Sequence, residues 1–324
     1  MSNESSLKRV LLTGCAGFIG SHVLEALLRS GQYQIIGVDN LWTGTQQNLD
    51  LAFTSVGVQN AIDRFDYREE HLDEFTEYAG LDAVIHLAAL DSVSRSIDSP
   101  RTVHGANVNA FFDCLNRARK AGVKRFIYAS SSAVLHLDNP YAVTKRINEL
   151  YAECFNRAYK TMECIGLRYF NVYGPRQNPY GKHAPLVAKV IRAMKENSPI
   201  TIYGDGSATR DFIHVTDAAR ATLSMLSSKR APPGYDYDVC TGRSETVQQV
   251  INYALEHFPD YDAPIHKVER RLFERQHSEG DPAMLGFLSD FKAHIQLKQG
   301  ISETVKQWVP YVIKGGSHPA FLKE

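Results

Sequence analysis

A chain of 324 residues has room for about two domains or one large two-lobed unit, and a core of that size closes without disulfides or metals. With 44% apolar and 22% charged residues the composition excludes a disordered chain, and 36 basic against 36 acidic side chains leave no net charge. No global field draws in a polyanion, so neither nucleic acid nor an acidic membrane surface is expected as a partner.

The first ten residues lack the apolar stretch of a signal peptide, and no run of about 18 apolar residues follows, which predicts a cytoplasmic protein. Short β-branched or apolar runs then alternate with longer helical patterns. Strands are predicted over 9–12, 34–38, 83–87, 125–129 and 163–168, with a less marked one at 64–66. Helices are predicted over 22–29, 108–120, 141–159, 186–195 and 216–228. Nearly continuous apolar strands separated by helices predict an α/β fold, a doubly wound parallel sheet covered on both faces. From Asn171 onward Pro and Gly become frequent and the alternation lapses, which predicts a smaller, irregular C-terminal lobe.

The sequence TGCAGFIG at 13–20 follows the first predicted strand and opens the first helix. Gly14 permits the tight turn, Gly17 lets backbone approach a pyrophosphate, and Gly20 allows helix and strand to pack closely. The helix N-terminus presents its free N–H groups to the phosphates. Asp39, 19 residues beyond Gly20 at the end of the second strand, is placed to accept from an adenosine ribose hydroxyl. It would repel a 2′-phosphate, so NAD is expected rather than NADP.

Tyr141 and Lys145 follow the helix-start signal Asn139-Pro140 and, four residues apart, share one helix face. A phenol titrates near pH 10, and serving as a base near neutrality takes about 4 kcal/mol of stabilisation of its anion. Lys145 and a positive nicotinamide ring could supply this. Ser130, Ser131 and Ser132 end the strand at 125–129, where hydroxyls face the ligand crevice of an open α/β sheet. Five cysteines without CxxC spacing read as buried thiols of a reducing compartment. Twelve histidines form no metal-ligand spacing near carboxylates, so no metal is expected.

Together these residues resemble the extended short-chain dehydrogenase/reductases, in particular the branch acting on nucleotide sugars. The resemblance spans nearly the whole chain: TGCAGFIG at 13–20, HLAA at 86–89, SSSAV at 130–134, YAVTK at 141–145, LRYFNVYGPRQ at 167–177 and RDFIHVTD at 210–217. WTGTQQNLD at 42–50, AALDSVSRSI at 88–97 and NELYAECFNRAY at 148–159 are similar, more narrowly, to bacterial UDP-N-acetylglucosamine 4-epimerases. The resemblance implies a Rossmann-like NAD-binding domain over 1–170 with a return at about 212–243. It also implies a nucleotide-sugar-binding lobe from 171–211 and 244–324.

By the same resemblance Tyr141 is the catalytic base, Lys145 holds the nicotinamide ribose, and Ser131 hydrogen-bonds the reacting oxygen. Gly14, Gly17, Phe18, Ile19 and Gly20 would meet the NAD phosphates, with Asp39 and Asn40 at the ribose and Asp66 at the adenine. Leu87, Ala88 and Ala89 would line the nicotinamide, with Asn107 and Tyr169 also against the cofactor. Ser92, Ser132 and Tyr203 would contact the UDP-sugar, while Asn171 and Arg210 bind its diphosphate, whose oxygens match a guanidinium fork. Arg271, Ser278 and Asp281 fit the family's arginine, gate residue seven positions on, and aspartate. A small gate residue such as Ser278 leaves volume for an acetamido group. A two-fold helix-bundle homodimer is implied as well, built from some of Phe111, Phe112, Leu115, Tyr151 and Phe155.

One segment departs from the family. Ser131 and Tyr141 are ten residues apart, whereas about twice that is usual, and Leu135-His136 stands where Tyr-Gly is expected. Ten residues span the gap easily, since the chain reaches about 3.5 Å per residue, but the missing stretch normally covers the sugar. The expected activity is NAD-dependent 4-epimerisation of UDP-GlcNAc and UDP-GalNAc, with UDP-glucose and UDP-galactose open as substrates. Dehydration, decarboxylation and uronate epimerisation remain alternatives, the first two disfavoured by Ser132-Ala133 where acidic residues are needed. A non-catalytic NAD-binding sensor is the rival from another class.

Overall fold

The computed structural model describes residues 7–57, 62–180, 184–270 and 275–308. Strand β1 (Lys8–Thr13) places Val10, Leu11 and Leu12 at the centre of the molecule, all fully buried. Such a strand needs apolar cover on both faces, and the sheet around it supplies the frame. Seven parallel strands run in the order β10 (Asp236–Val239), β6 (Glu163–Tyr169), β5 (Arg125–Ser131), β4 (Ala83–His86), β1, β2 (Tyr33–Asp39), β3 (Phe65–Glu69).

Alternate side chains along β1 serve opposite faces. Val10 and Leu12 join Leu24, Leu27 and Leu28 of helix α1 (Phe18–Ser30) in one core, and Leu11 joins Phe111, Leu115 and Phe126 in the other. Strand order reverses between β1 and β4, so a crevice opens beyond their carboxyl ends, where ligands bind in sheets of this kind. The doubly wound α/β expectation is therefore met.

Helix α1 starts four residues ahead of the expected His22, because extended Gly17 ends the phosphate turn and the chain coils at once. It stops at Gly31, whose left-handed φ of 68° suits a residue without Cβ. The helix expected from Val108 is entered through a π-helical turn, Gly105–Asn109, before Ala110–Lys120. Helix Gln46–Val56 was absent from the sequence reading; Thr45 caps it by accepting from Asn48 N.

The irregular lobe contains β7 (Asn171–Tyr173) and β9 (Thr209–His214), paired in parallel, with β11 (Ser244–Thr246) antiparallel to β9. Strands β8 (Ile200–Tyr203) and β12 (Ile265–Val268) form a separate pair. Val190, Ile191, Ile251 and Ile301 fill a third core there. Strand β10 leaves this region and pairs with β6 at the edge of the large sheet. Among the described residues no helix is long and apolar enough to cross a membrane.

Candidate active site

The glycine turn is built by contacts that exclude side chains. Gly14 has a φ of +72°, and a Cβ on it would stand 2.8 Å from Ala88 N. A Cβ on Gly20 would lie 1.9 Å from the carbonyl oxygen of Gly14, so that position admits hydrogen alone. No side chain caps the first N–H groups of α1, and its first turn holds no acidic residue. The positive helix end is left facing a cavity of about 1260 Å³ that Gly14, Gly17, Phe18, Ile19 and Gly20 border. Single-ligand sites usually run to about 300–1,000 Å³, so this one admits a dinucleotide and a second molecule.

Asp39 and Asn40 border the same cavity. The Asp39 carboxylate accepts from Ala16 N at 2.9 Å and Leu41 N at 2.8 Å, bonds that fix the turn and leave lone pairs for a ribose hydroxyl. Burial raises its pKa despite those backbone donors. On the β4 side Leu87, Ala88 and Ala89 line the wall, and Ala88 N donates to Thr13 Oγ1 at 3.2 Å. These residues fit NAD: a side-chain-free cradle, unpaired helix donors, and a carboxylate hostile to a 2′-phosphate.

Helix α6 of this account is Pro140–Tyr159, after α2 (Gln46–Val56), α3 (Val93–Asp98), α4 (Pro100–His104) and α5 (Ala110–Lys120). Asn139 caps it by accepting from Ala142 N at 2.9 Å, and Pro140 fills the first helical position, so its first turn is fixed at the cavity wall. Tyr141 and Lys145 are both buried there. Lys145 Nζ donates to the Ala129 carbonyl at 3.0 Å and lies 5.9 Å from the centre of the Tyr141 ring. The Ser131 hydroxyl accepts from Ala133 N at 3.2 Å and lies close enough to the Tyr141 phenol to favour its ionised form. Ser130 points instead at Glu149 Oε1, 2.7 Å away, while Ser132 borders the cavity. Strand alternation explains the split: Ser130 and Ser131 face opposite sides of β5.

The phenol is not acidic in the protein by itself, which corrects the expectation placed on Lys145. Burial pushes Tyr141 above its ordinary value, Asp91 adds to that, and the nearby Ser131 hydroxyl returns only part. Burial also brings the Lys145 ammonium down to about 8, against the attraction of Asp91. Lys145 is turned to a carbonyl and not to the phenol oxygen. Bound NAD would add a positive nicotinamide ring, a charge that favours the phenolate.

The second lobe closes the cavity. Residues 276–278 pair with β9 through Thr209 N to Gln276 O and Asp211 N to Ser278 O, each 2.8 Å, which seats Ser278 beside Arg210. Both border the cavity, as does Asn171, whose amide donates to Asp211 O at 2.9 Å. Arg275 reaches across to the short segment before Tyr141, 3.5 Å from Asp138 Oδ2 and 3.5 Å from Ala133 O. The connection folds as a 3-10 turn, Ser132–Leu135, and closes with Leu137 at a φ of 53°. The shortened stretch therefore forms part of the cavity wall, through Ser132, Ala133, Asp138 and Asn139.

Comparison with known proteins agrees with this geometry. The sequence pattern of the NAD dependent epimerase/dehydratase family matches residues 10–240. The chain belongs to that family. A UDP-N-acetylglucosamine 4-epimerase from Methanobrevibacter ruminantium, solved with UDP-N-acetylmuramic acid, superposes with a TM-score of 0.83 at 29% identity, over 93% of this chain and 98% of its own. A UDP-glucose 4-epimerase from Thermotoga maritima, solved with UDP-glucose, gives 0.82 at 29% identity, over 92% and 98%. A UDP-N-acetyl-α-D-glucosaminuronate decarboxylase from Bacillus cytotoxicus is 29% identical over 335 residues, covering 93% of this chain and 97% of its own. As an NAD-dependent epimerase/dehydratase the chain has relatives of more than one chemistry, and the substrate has to be argued from the site.

Several expected contacts fall elsewhere. Asp66 does not border the cavity: the register sets Asp39 opposite Glu69, so Asp66 sits three residues short of the strand's carboxyl end, 2.8 Å from Arg68. Glu70, His71 and Asp73 line that part instead, with His71 bonded to the Asn40 amide at 3.2 Å. Asn107 is fully buried and spends its side chain on Leu90 N (2.7 Å), Leu90 O (3.0 Å) and Thr144 Oγ1 (3.2 Å). Ser92 caps α3 by accepting from Arg95 N. Tyr203 is exposed on β8, away from the cavity lining. Tyr169 borders the cavity, with its hydroxyl 2.7 Å from Thr222 Oγ1. Arg271 lies outside the described residues. Asp91, Asp138 and Arg275 also border the cavity; Asp91 lies within AALDSVSRSI at 88–97 without a role of its own, and Asp138 and Arg275 lie in no quoted motif, because each reaches the cavity through a loop.

Proposed function

We propose that the protein is a UDP-sugar 4-epimerase interconverting UDP-GlcNAc and UDP-GalNAc. The observation that carries this reading is the convergence of Tyr141, Ser131 and Lys145 on the cavity that the glycine turn opens. NAD, when bound, would supply the acceptor for the C4 hydride and a positive charge that favours the phenolate. Tyr141 takes the O4 proton, Ser131 holds the oxygen that loses it, and Lys145 fastens the nicotinamide ribose. Asn171 and Arg210 grip the diphosphate, so the sugar turns over while the nucleotide stays fixed. Ser278 leaves space for the acetamido group, and residues 171–211 and 244–324 form the lobe that holds the nucleotide sugar.

The serine loop favours epimerisation over the chemistry of the decarboxylase relative, because Ser132 and Ala133 offer no acid there. Exposed Leu150, Tyr151 and Tyr159 on α6 support a two-fold helix-bundle dimer. The test is direct: purified protein given UDP-GlcNAc without added reductant yields UDP-GalNAc until equilibrium. Retention of NAD with no interconversion would refute the reading.

A further inference from the structure

Between β4 and α3 the chain carries Asp91 into the reacting end of the cavity on a backbone pinned from both sides. On one side Leu90 is held by Asn107 through its N–H (2.7 Å) and its carbonyl (3.0 Å). On the other, Ser92 caps α3 by accepting from Arg95 N at 3.1 Å. Helix α3 is itself tied to the base, since Ser96 Oγ accepts from Tyr141 N at 3.0 Å. Asp91 lines the same cavity as Tyr141, Lys145 and Ser131. Among the described residues no hydrogen bond or ion pair engages its carboxylate. The other carboxylate on this stretch of wall, Asp138, faces Arg275 at 3.5 Å, so those two charges offset each other. Of the other cations bordering the cavity, Lys145 feels the attraction of Asp91 but donates to the Ala129 carbonyl at 3.0 Å, and Arg210 donates to the Thr209 carbonyl at 2.9 Å beside Ser278.

We propose that Asp91 selects the sugar by charge, admitting uncharged hexoses and N-acetylhexosamines and turning away nucleotide sugars that carry a carboxylate. This rests on the UDP-sugar reading above and narrows it. A uronate entering the pocket brings a second negative charge to the part of the wall that Asp91 occupies, where the Arg275 guanidinium already faces Asp138. Two like charges several ångströms apart in a partly dry cleft change affinity by about 10- to 100-fold. Rejection by repulsion needs a rigid charge, and the pinning by Asn107 and Ser92 supplies it. Both of those residues thereby acquire a part in the site without touching a ligand.

The test compares UDP-glucose with UDP-glucuronate on wild-type and Asp91→Asn protein. NAD-loaded Tyr141→Phe background protein is titrated calorimetrically with each nucleotide, so that binding is read without turnover. The expected result is a wild-type preference for UDP-glucose of about 10- to 100-fold, falling at least about fivefold when Asp91→Asn is added, through tighter uronate binding. An unchanged ratio overturns the inference, and so does a wild-type preference for UDP-glucuronate that Arg275→Gln abolishes. Failure of the epimerase reading is separate: wild-type protein that binds UDP-glucose yet never epimerises a UDP-sugar contradicts the proposed function while leaving the charge ratio readable.

Discussion

The two ends of the cavity are made differently. At the cofactor end, backbone does the work: Gly14, Gly17 and Gly20 shape the turn, α1 offers its bare N–H groups, and Asp39 locks the loop from the neighbouring strand. At the sugar end, side chains from separate loops meet: Asp91 after β4, Asp138 before α6, Arg275 and Ser278 beside β9. A backbone cradle tolerates almost no substitution and binds one kind of group. A wall of loop side chains can change its charge without disturbing the fold.

Tyr141 stands where the ends join, and its removal has the largest expected effect. Tyr141→Phe should lower kcat about 10³-fold, in the range for losing a general base, while NAD still binds. A loss of only a few-fold would move the base elsewhere. At the cofactor end Gly20→Ala forces a methyl into the Gly14 carbonyl and should weaken NAD binding about 100-fold, with a destabilisation of about 1–3 kcal/mol seen in thermal melts. Unaltered NAD affinity would mean the turn is looser than its geometry.

A third prediction concerns the floor shared by both ends. His86, fully enclosed and bonded through Nδ1 to Thr13 Oγ1 at 3.1 Å, has its pKa brought down to about 3 by burial, with Lys145 adding to it. Unfolded chain takes up that proton near the ordinary 6.5, so stability is complete above 6.5 and lost as pH falls toward 3. Between pH 7 and pH 5 the loss is about 2 kcal/mol, at 1.36 kcal/mol per unit. Chemical denaturation at the two pH values measures it, and His86→Asn should flatten the difference. The smallest effect belongs to the sugar end: Arg275→Gln should raise KM for the UDP-sugar about three- to tenfold with kcat nearly unchanged.

The same contrast governs what could be read from the residues alone. The glycine turn, the Tyr141–Lys145 spacing and Ser131 are local patterns, and each reaches the cavity as expected. Where Asp66 falls was not legible, because strand register is a tertiary fact: pairing with β2 sets Glu69 opposite Asp39 and leaves Asp66 three residues short of it. Ser92 lies in the stretch 88–97 and Asn107 was expected against the cofactor, yet their side chains hold the backbone around Asp91. The phenol's pKa was legible in sign only if its burial were known, since desolvation outweighs every neighbouring group on the chain itself.

In the proposed reaction C4 is oxidised and reduced again inside one site. Incubating the protein with UDP-GlcNAc deuterated at C4 and following the product by NMR and mass spectrometry tests it. The account predicts UDP-GalNAc that keeps its deuterium at C4 in ordinary water. Product carrying protium at C4 would show exchange with solvent and contradict it.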